Sequence, residues 1–390
     1  MIFQILDNKI ECRGVYLNNQ ILNEPPEGLT ATWGYSANLP LDVEYAKFYC
    51  NKELDEVCPE RIKDKWEKVS QKLKAHLKSF ITAKIDLTEH CFYDLVPEQF
   101  LREYCELKNE ITQHVLDTYE KPEDYDYLLS LAKVVEDIKK HNIRLDLHAL
   151  SEQMANQQTR TFVKKIRTLD KRVKYNIYGT KTGRLTTEPG SFPILTMKKE
   201  HRAAILPNND LFMEIDYNAA ELRTLLALSD KEQPKEDIHE WNIKNVYRDL
   251  VTRQEAKERI FAWLYNPASK DYLSNRAYER DKVLEKYWDG KEVKTIFNKV
   301  IPSDRHHALN YIIQSTTAEM FLKQMVKVHE ILKEKKSFIA FSVHDSLVID
   351  LAKEDKELIP ELIKVFEETP IGNFKANLSL GKSYGKMRKV

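Results

Sequence analysis

The sequence predicts an α+β chain, with helices grouped between strands rather than alternating with them. Three observations predict it. Only 10 Gly and 14 Pro among 390 residues argue for a mostly helical chain with few tight turns. The apolar run "LFMEID" at 211–216 reads as a strand that leads directly into a helical pattern. Near the C-terminal end, "FIAFSVHDSLVID" (338–350) reads as two β-type runs joined by polar residues, a hairpin after a long helical stretch. Strand, helices, long helix and hairpin in that order suit α+β better than a βαβ repeat.

The elements follow in order. Residues 1 to about 35 are β-rich and turn-rich, and "NEPPEG" at 23–28 breaks them off. From Pro59 to Asp117 charged and apolar residues recur at helical spacing. "EKPEDYDY" at 120–127 reads as a domain boundary, followed by an amphipathic helix, a turn at Asn142 and a short strand. After "LFMEID" comes the helix "NAAELRTLLALSD", with Asn218 placed to cap and Glu221 three residues on, the capping-box spacing. "TRQEAKERIFAWLYNP" repeats that spacing at Thr252 and Glu255, and ends on Asn266, suited to a left-handed C-cap, and Pro267. "ALNYIIQSTTAEMFLKQMVKVHEILKE" is the long helix before the hairpin. No internal repeat or low-complexity segment interrupts this pattern.

Composition narrows the class. With 42% hydrophobic and 31% charged residues, the chain reads as globular rather than disordered, long enough for two to three domains. No apolar run approaches the ~20 residues of a membrane span, so no membrane partner is expected. "MIFQILDNKIECRG" starts on a strand-like alternation without a basic leader and is not read as a signal peptide. Five Cys, an odd number without metal-type spacing, read as reduced thiols and hence a cytoplasmic protein. Acidic and basic residues balance at 61 each, but Arg160–Arg202 holds twelve Lys or Arg against three acids. That run is either a solvated basic face or a surface that contacts a nucleic-acid backbone.

Three constellations carry chemistry. Asp345 sits beside His344 where the hairpin turns. Asp is an ordinary turn residue, and it is also a rigid oxygen ligand for a hard cation if a second carboxylate joins it. Asp216 at the end of "LFMEID" is the candidate partner. In the 253–265 helix, Arg253, Lys257, Phe261 and Tyr265 recur every four residues, a stripe about 18 Å long. Charge lies at its N-terminal end, where the helix dipole also favours anions, and aromatic rings lie at the other. A nucleoside triphosphate has the same polarity. The plainer reading is a surface helix with an aromatic core edge, which leaves that segregation unexplained.

Together these segments resemble the polymerase domain of family A DNA polymerases, from about residue 125 to the end. "DYNAAELR" (216–223) looks like motif A, "R-x3-K-x3-F-x3-Y" (253–265) like motif B and "VHDS" (343–346) like motif C. "TGRL" (182–185), "DIH" (237–239) and "N-x3-Q-x-T" (Asn310, Gln314, Thr316) add matches in the family's order. The resemblance implies a right-hand polymerase. Its palm would be an antiparallel sheet, its fingers helical and its thumb much reduced, beside a small N-terminal α/β region. Residues 121–230 would hold the palm entry, reduced thumb and motif A. Residues 231–300 would be fingers with the 252–266 helix, and 301–390 palm with the motif C hairpin.

It also implies roles. Asp216 and Asp345, with the Tyr217 backbone carbonyl, would hold two Mg²⁺, for which Mn²⁺ could substitute. Arg253, Lys257 and His239 would grip the incoming triphosphate, with Lys257 able to protonate the leaving pyrophosphate. Phe261 would pack on the nucleotide, Tyr265 would fill the insertion site until a base displaces it, and Glu221 would exclude a ribose 2′-hydroxyl. Thr182, Arg184, Asn310, Gln314 and His344 would track the primer–template. In the basic run, Lys164, Lys165, Arg167, Lys171 and Arg172 would hold the duplex backbone. Expected partners are DNA primer–template, dNTPs and a processivity or replisome partner for a monomeric enzyme.

Departures qualify the resemblance. Ser346 stands where Glu is usual, Ala262 and Asn266 where glycines are usual, and His306 where Arg is common. Only about thirty residues separate Leu147 from "TGRL", which predicts weak duplex grip and low processivity. Residues 1–120 match nothing assignable: Asp42-Val43-Glu44 has an exonuclease-like spacing but no strand leads into it. The proofreading site is therefore read as absent, and the region as an inactive exonuclease-like remnant. Compactness and "HDS" lean toward a phage-type enzyme, acting in bacterial cytosol or phage-infected cytoplasm. Rival readings are a single-subunit RNA polymerase-like enzyme, disfavoured by Glu221, and a non-catalytic primer–template-binding remnant, disfavoured by retention of both acids, Arg253 and Lys257.

Overall fold

The segments "QILDNK" and "CRGVYL" form the first two strands of the structure, a computed structural model that describes every residue except 10, 11, 38, 40, 41, 86, 88, 89 and 267. The side chains of residues 8, 9, 12 and 13 are likewise not described. Pro40, before the Asp42-Val43-Glu44 spacing, and Pro267, after the 253–265 helix, thus lie outside the described residues. Two compact units divide the chain, Met1–Lys133 and Val134–Val390.

In the first unit, β1 (Gln4–Lys9), β2 (Cys12–Leu17) and β3 (Gln20–Leu22) form an antiparallel sheet in sequence order. Two long amphipathic helices follow, α1 (Lys63–Thr82) and α2 (Glu98–Thr118). Trp66, Val69 and Phe80 of α1 share a core with Phe100, Leu101, Ile111 and Val115 of α2. Each such side chain contributes about 1.5–3 kcal/mol by leaving water. Gln4 Nε2 donates to Thr112 Oγ1 at 3.1 Å, so a buried amide ties β1 to α2. Asp42 is exposed, and Glu44 pairs with Lys121 at 3.0 Å. The cysteine reading needs correction. Cys50, Cys58 and Cys105 are free thiols, but Cys91 is disulfide-bonded. An odd count excludes complete pairing, not a single pair.

The boundary between units falls inside α3 (Tyr125–Lys140), the amphipathic helix expected after 127. In the second unit α4 (Gln157–Thr168) carries the start of the basic run. The apolar segment at 211–216 forms β4 (Leu211–Tyr217), the centre of a five-stranded sheet. Helices α5 (Ala220–Leu228), α6 (Ile238–Asn245) and α7 (Arg253–Tyr265) follow, then the 28-residue α8 (Arg305–Leu332). The hairpin is β5 (Phe338–Val343) and β6 (Ser346–Leu351), and the chain closes through α9 (Ile359–Glu367), β7 (Ala376–Gly381) and β8 (Arg388–Lys389). The sheet order is β5-β6-β4-β7-β8, antiparallel throughout.

Both α5 and α9 pack on α8, and Leu222, Leu225, Ile260, Trp263 and Ile312 form one core across α5, α7 and α8. Two polar clamps fix the sheet. Asp350 of β6, fully buried, accepts from the Asn208 and Asn209 backbone N–H groups and so fixes the approach to β4. Tyr175 donates its hydroxyl to the Ser342 carbonyl at 2.6 Å and accepts from the Ser342 N–H at 2.9 Å. An α+β architecture is thus present, and among the described residues no helix is long and apolar enough to cross a membrane.

Candidate active site

Strand register brings the two acids together. Asp216 of β4 lies opposite Ser346, the first residue of β6, and opposite Asn377 of β7. Asp345 immediately precedes Ser346, so the hairpin turn presents it one residue beyond the cross-strand partner of Asp216. Val343 pairs with Ser346, leaving His344 and Asp345 as a two-residue loop. His344 adopts φ 55°, the positive value that primed hairpin turns require at their first position. The turn geometry thus exposes His344 and leaves Asp345 half-buried.

A cavity of about 500 Å³ lies over these acids, lined among others by Asp216, Glu221, Asp345, Arg184, Phe261 and Tyr265. Burial, then the charges of Glu214 and Asp345, push the Asp216 carboxyl up to about 7. Burial raises Asp345 too, with the Arg184 charge opposing. Two crowded carboxylates that resist ionising are what a divalent cation would relieve. Oxygen donors of this kind suit Mg²⁺, which takes one or two carboxylates and keeps several waters. Among the described residues no group of three or more His, Cys, Asp or Glu is gathered for a single ion. The residues present therefore fit ions held by a carboxylate pair and completed by backbone, water and substrate oxygens. The Tyr217 side chain points elsewhere: its hydroxyl donates to the Phe366 carbonyl and its ring stacks on Phe366 at 4.2 Å.

The basic–aromatic stripe forms as spaced. Thr252 and Glu255 make a reciprocal capping box, with Glu255 Oε2 accepting from the Thr252 N–H at 2.7 Å. Phe261 and Tyr265 stack near-parallel at 6.0 Å, and both line the cavity. Arg253 and Lys257 do not. Arg253 is instead held by Asp237 at 2.9 Å and Glu240 at 3.5 Å. Against burial, hydrogen bonds from Arg253 and Asn218 hold Asp237 down at about 2. His239 is 5% exposed and rests tilted on Phe261 at 5.9 Å. Burial, with the charges of Arg253 and Lys257 against that of Asp237, pushes its imidazole down to about 4. His239 is therefore neutral at pH 7, a hydrogen-bonding group rather than a third cation.

Glu221 is bound twice. Arg184 and Tyr265 both hydrogen-bond its carboxylate, and the side chain is 7% exposed. This overturns the capping box expected at Asn218 and Glu221. The N-cap of α5 is Ala219, at φ 54° with no capping side chain. Asn218 Oδ1 is taken by Arg223 Nη2 and the Ile238 N–H, and its amide donates to Asp237. Tertiary partners outcompeted the local one. A left-handed Ala costs roughly 1–2 kcal/mol, offset by the network of the fully buried Arg223, which also donates to the Pro234 and Glu236 carbonyls. At the far end of α7, Asn266 is extended at φ −108° rather than left-handed.

The remaining candidates lie outside the cavity. Asn310 and Gln314 share one face of α8, and Thr182 is 7% exposed. Lys164, Lys165 and Arg167 are exposed on α4, and Lys171 is exposed beyond it. Arg172 is engaged: Nε and Nη2 fork onto the Asp170 carboxylate at 3.0 Å each. Four polar cavity residues carried no assigned role in the sequence: Arg202, Glu214, Ser346 as a partner, and Tyr384. A signal existed for Glu214. It is the only other charged residue in the apolar strand that carries Asp216, two positions before it and so on the same face.

A sheet with one acid on its central strand and another in the adjoining turn, faced by a basic–aromatic helix, has the fold of a polymerase domain. The solved POL domain of Pol1 from M. smegmatis, in complex with DNA primer-template and dNTP, matches it with a TM-score of 0.59 at 13% identity, over 74% of this chain and 76% of that one. Residues 291–386 match the model of DNA polymerase family A. The DNA polymerase I of Borreliella burgdorferi is 25% identical over 264 residues, 53% of this chain and 29% of that protein. Thermostable DNA polymerase I of Thermus aquaticus is 26% identical over 242 residues, and Bacillus subtilis DNA polymerase I 27% over 245. The chain is thus similar to family A DNA polymerases, and its match spans less than a third of the length of these three proteins.

Proposed function

We propose that this chain is a template-directed DNA polymerase that adds dNTPs to a primer 3′ end. The observation that carries the reading is the meeting of Asp216 and Asp345 in one cavity with Phe261 and Tyr265. The two acids, with the Tyr217 carbonyl, would hold a pair of divalent cations, Mg²⁺ or Mn²⁺. Such a pair stabilises the attacking and leaving oxygens of phosphoryl transfer.

The chain's own residues supply the rest. The 3′-hydroxyl approaches beside His344, the nucleotide ring lies on Phe261, and its anionic tail runs toward Lys257 and Arg253. Arg253 must leave Asp237 to reach it. Lys257 would give a proton to pyrophosphate. Neutral His239 hydrogen-bonds the triphosphate rather than attracting it by charge. Tyr265 vacates Glu221 when a template base enters, and Glu221 then closes on the sugar edge where a 2′-hydroxyl would sit. Thr182, Arg184, Asn310 and Gln314 follow the primer–template at its end, and Lys164, Lys165, Arg167, Lys171 and Arg172 follow its backbone, contacts that are tolerant of sequence.

In this reading residues 231–300 are the fingers, 301–390 most of the palm, and 121–230 the palm entry with a reduced thumb. Residues 1–120 carry no proofreading site, and the enzyme is a monomer of low processivity that needs a partner. The test is a recessed primer–template offered each dNTP singly with Mg²⁺. Addition of only the nucleotide complementary to the template supports the reading. Tight template binding without addition in Mg²⁺ or Mn²⁺ refutes it in favour of a binding remnant.

A further inference from the structure

One end of the cavity has no role in the account above. Glu214, Ser346, Arg202 and Tyr384 line it, beside Asp216. Glu214 faces the same side of β4 as Asp216 because strand side chains alternate. It pairs with Val348, which places Ser346 on the diagonal, and the Ser346 hydroxyl donates to Glu214 Oε1 at 3.0 Å. The second carboxylate oxygen accepts no hydrogen bond from any described residue. Arg202 lies over the Tyr384 ring at 4.9 Å and forms no ion pair with Glu214. Tyr384 is 4% exposed, lines the cavity and has an unpartnered hydroxyl. A half-buried carboxylate with one neutral donor is costly to keep in an apolar strand. Hydrophobic residues fill the other core positions of β4, so the charge serves the cavity rather than the sheet.

We propose that Glu214 is a third carboxylate of this site, holding through water the divalent cation taken by Asp216, with Ser346 as its positioning residue. This rests on the cation-binding reading of Asp216 and Asp345. Glu214 does not complete one three-carboxylate ligand set, since none is gathered among the described residues. Mg²⁺ keeps several of its waters, and acceptors for those waters orient the ion and strengthen its binding. The Ser346 hydroxyl fixes one oxygen of Glu214 and leaves the other for such a water.

The test moves the carboxylate across the ladder. Mn²⁺ binding to the free protein, without DNA, is measured by electron paramagnetic resonance for wild type, Glu214→Gln, Ser346→Ala and the double variant Glu214→Ser/Ser346→Glu. Glu214→Gln keeps shape and removes charge, so binding should weaken roughly tenfold. Ser346→Ala should weaken it by about threefold, since it frees Glu214 without discharging it. The double variant returns a carboxylate to the same space and should bind within about threefold of wild type. Glu214→Gln binding within twofold of wild type, or a double variant as weak as Glu214→Gln, overturns the proposal. Should Glu214→Gln fail to melt as a folded protein, the Ser346→Ala and double-variant comparison decides it alone. Primer extension by wild type is run separately. Its failure would remove the polymerase reading and leave the Mn²⁺ result standing.

Discussion

Tyr265, at the last turn of α7, donates its phenolic hydrogen to Glu221, on α5, 44 residues earlier in the chain. Arg184 binds the other oxygen of the same carboxylate. One acid thus joins the aromatic end of the stripe to the cavity, and replacing it should have two consequences. Glu221→Ala removes the barrier to a 2′-hydroxyl, so ribonucleotide insertion relative to deoxynucleotide should rise by about 10²-fold or more. Half-buried Arg184 also loses its counter-charge, at about 1 kcal/mol of stability. Steady-state insertion of matched rNTP and dNTP reads the first effect and urea melts the second. Unchanged sugar selectivity would remove Glu221 as the gate.

Phe261 rather than Tyr stacks on Tyr265. A phenol here could donate a hydrogen bond where a substrate lacks its 3′-hydroxyl, and Phe cannot. Wild type should therefore reject dideoxynucleotides, and Phe261→Tyr should narrow that rejection by about 10²-fold or more. Competition between ddNTP and dNTP on one template measures it. Equal use of both by wild type would contradict the placement of Phe261.

Arg253 is held by Asp237. Asp237→Asn keeps the side-chain cap of α6, which Asp237 makes by accepting from the His239 and Glu240 N–H groups, and weakens the hold on Arg253. An exposed pair of this kind is worth roughly 0–1 kcal/mol, so the KM for dNTP should fall by up to about fivefold while Arg253→Ala raises it. A KM unmoved by Asp237→Asn would mean that the ion pair does not compete with the triphosphate.

The His239 imidazole gives a pH dependence of stability. Its folded pKa of about 4 lies below the ordinary histidine value of 6.5. The unfolded chain therefore binds the proton first as pH falls. Stability is present above pH 6.5 and lost as pH drops toward 4, by up to about 3 kcal/mol from this group. Between pH 7 and 4, His239→Gln should flatten the decline in urea stability by about that amount. An unchanged slope would show that His239 ionises freely in the folded protein.

Much of the architecture was legible because local signals agreed with tertiary demands. The apolar run before Asp216 and the runs around His344 had nowhere to go but a sheet, and Thr252 with Glu255 needed no distant partner to cap α7. Local reasoning failed where distant groups claimed the same atoms. Asn218 had the spacing of an N-cap, yet Arg223 and the first turn of α6 took its side chain. Asn266 had the chemistry of a left-handed C-cap and remained extended. Spacing brought Arg253 and Lys257 onto the stripe but could not reveal that Asp237 restrains Arg253. In sequence Ser346 is only a departure from the usual Glu. Its hydrogen bond to Glu214, 132 residues away, becomes visible only once β4 and β6 are paired.

The central claim is that Asp216 and Asp345 are the metal-holding acids of a polymerase. Single-turnover insertion of one correct dNTP, at saturating Mg²⁺, tests it most directly in wild type, Asp216→Asn and Asp345→Asn. Primer–template binding is followed in parallel by fluorescence anisotropy. Each substitution should slow insertion by about 10³-fold or more, since the two-ion clamp on both reacting oxygens is lost, while DNA binding stays within about threefold. Insertion within tenfold of wild type in either variant would contradict the account.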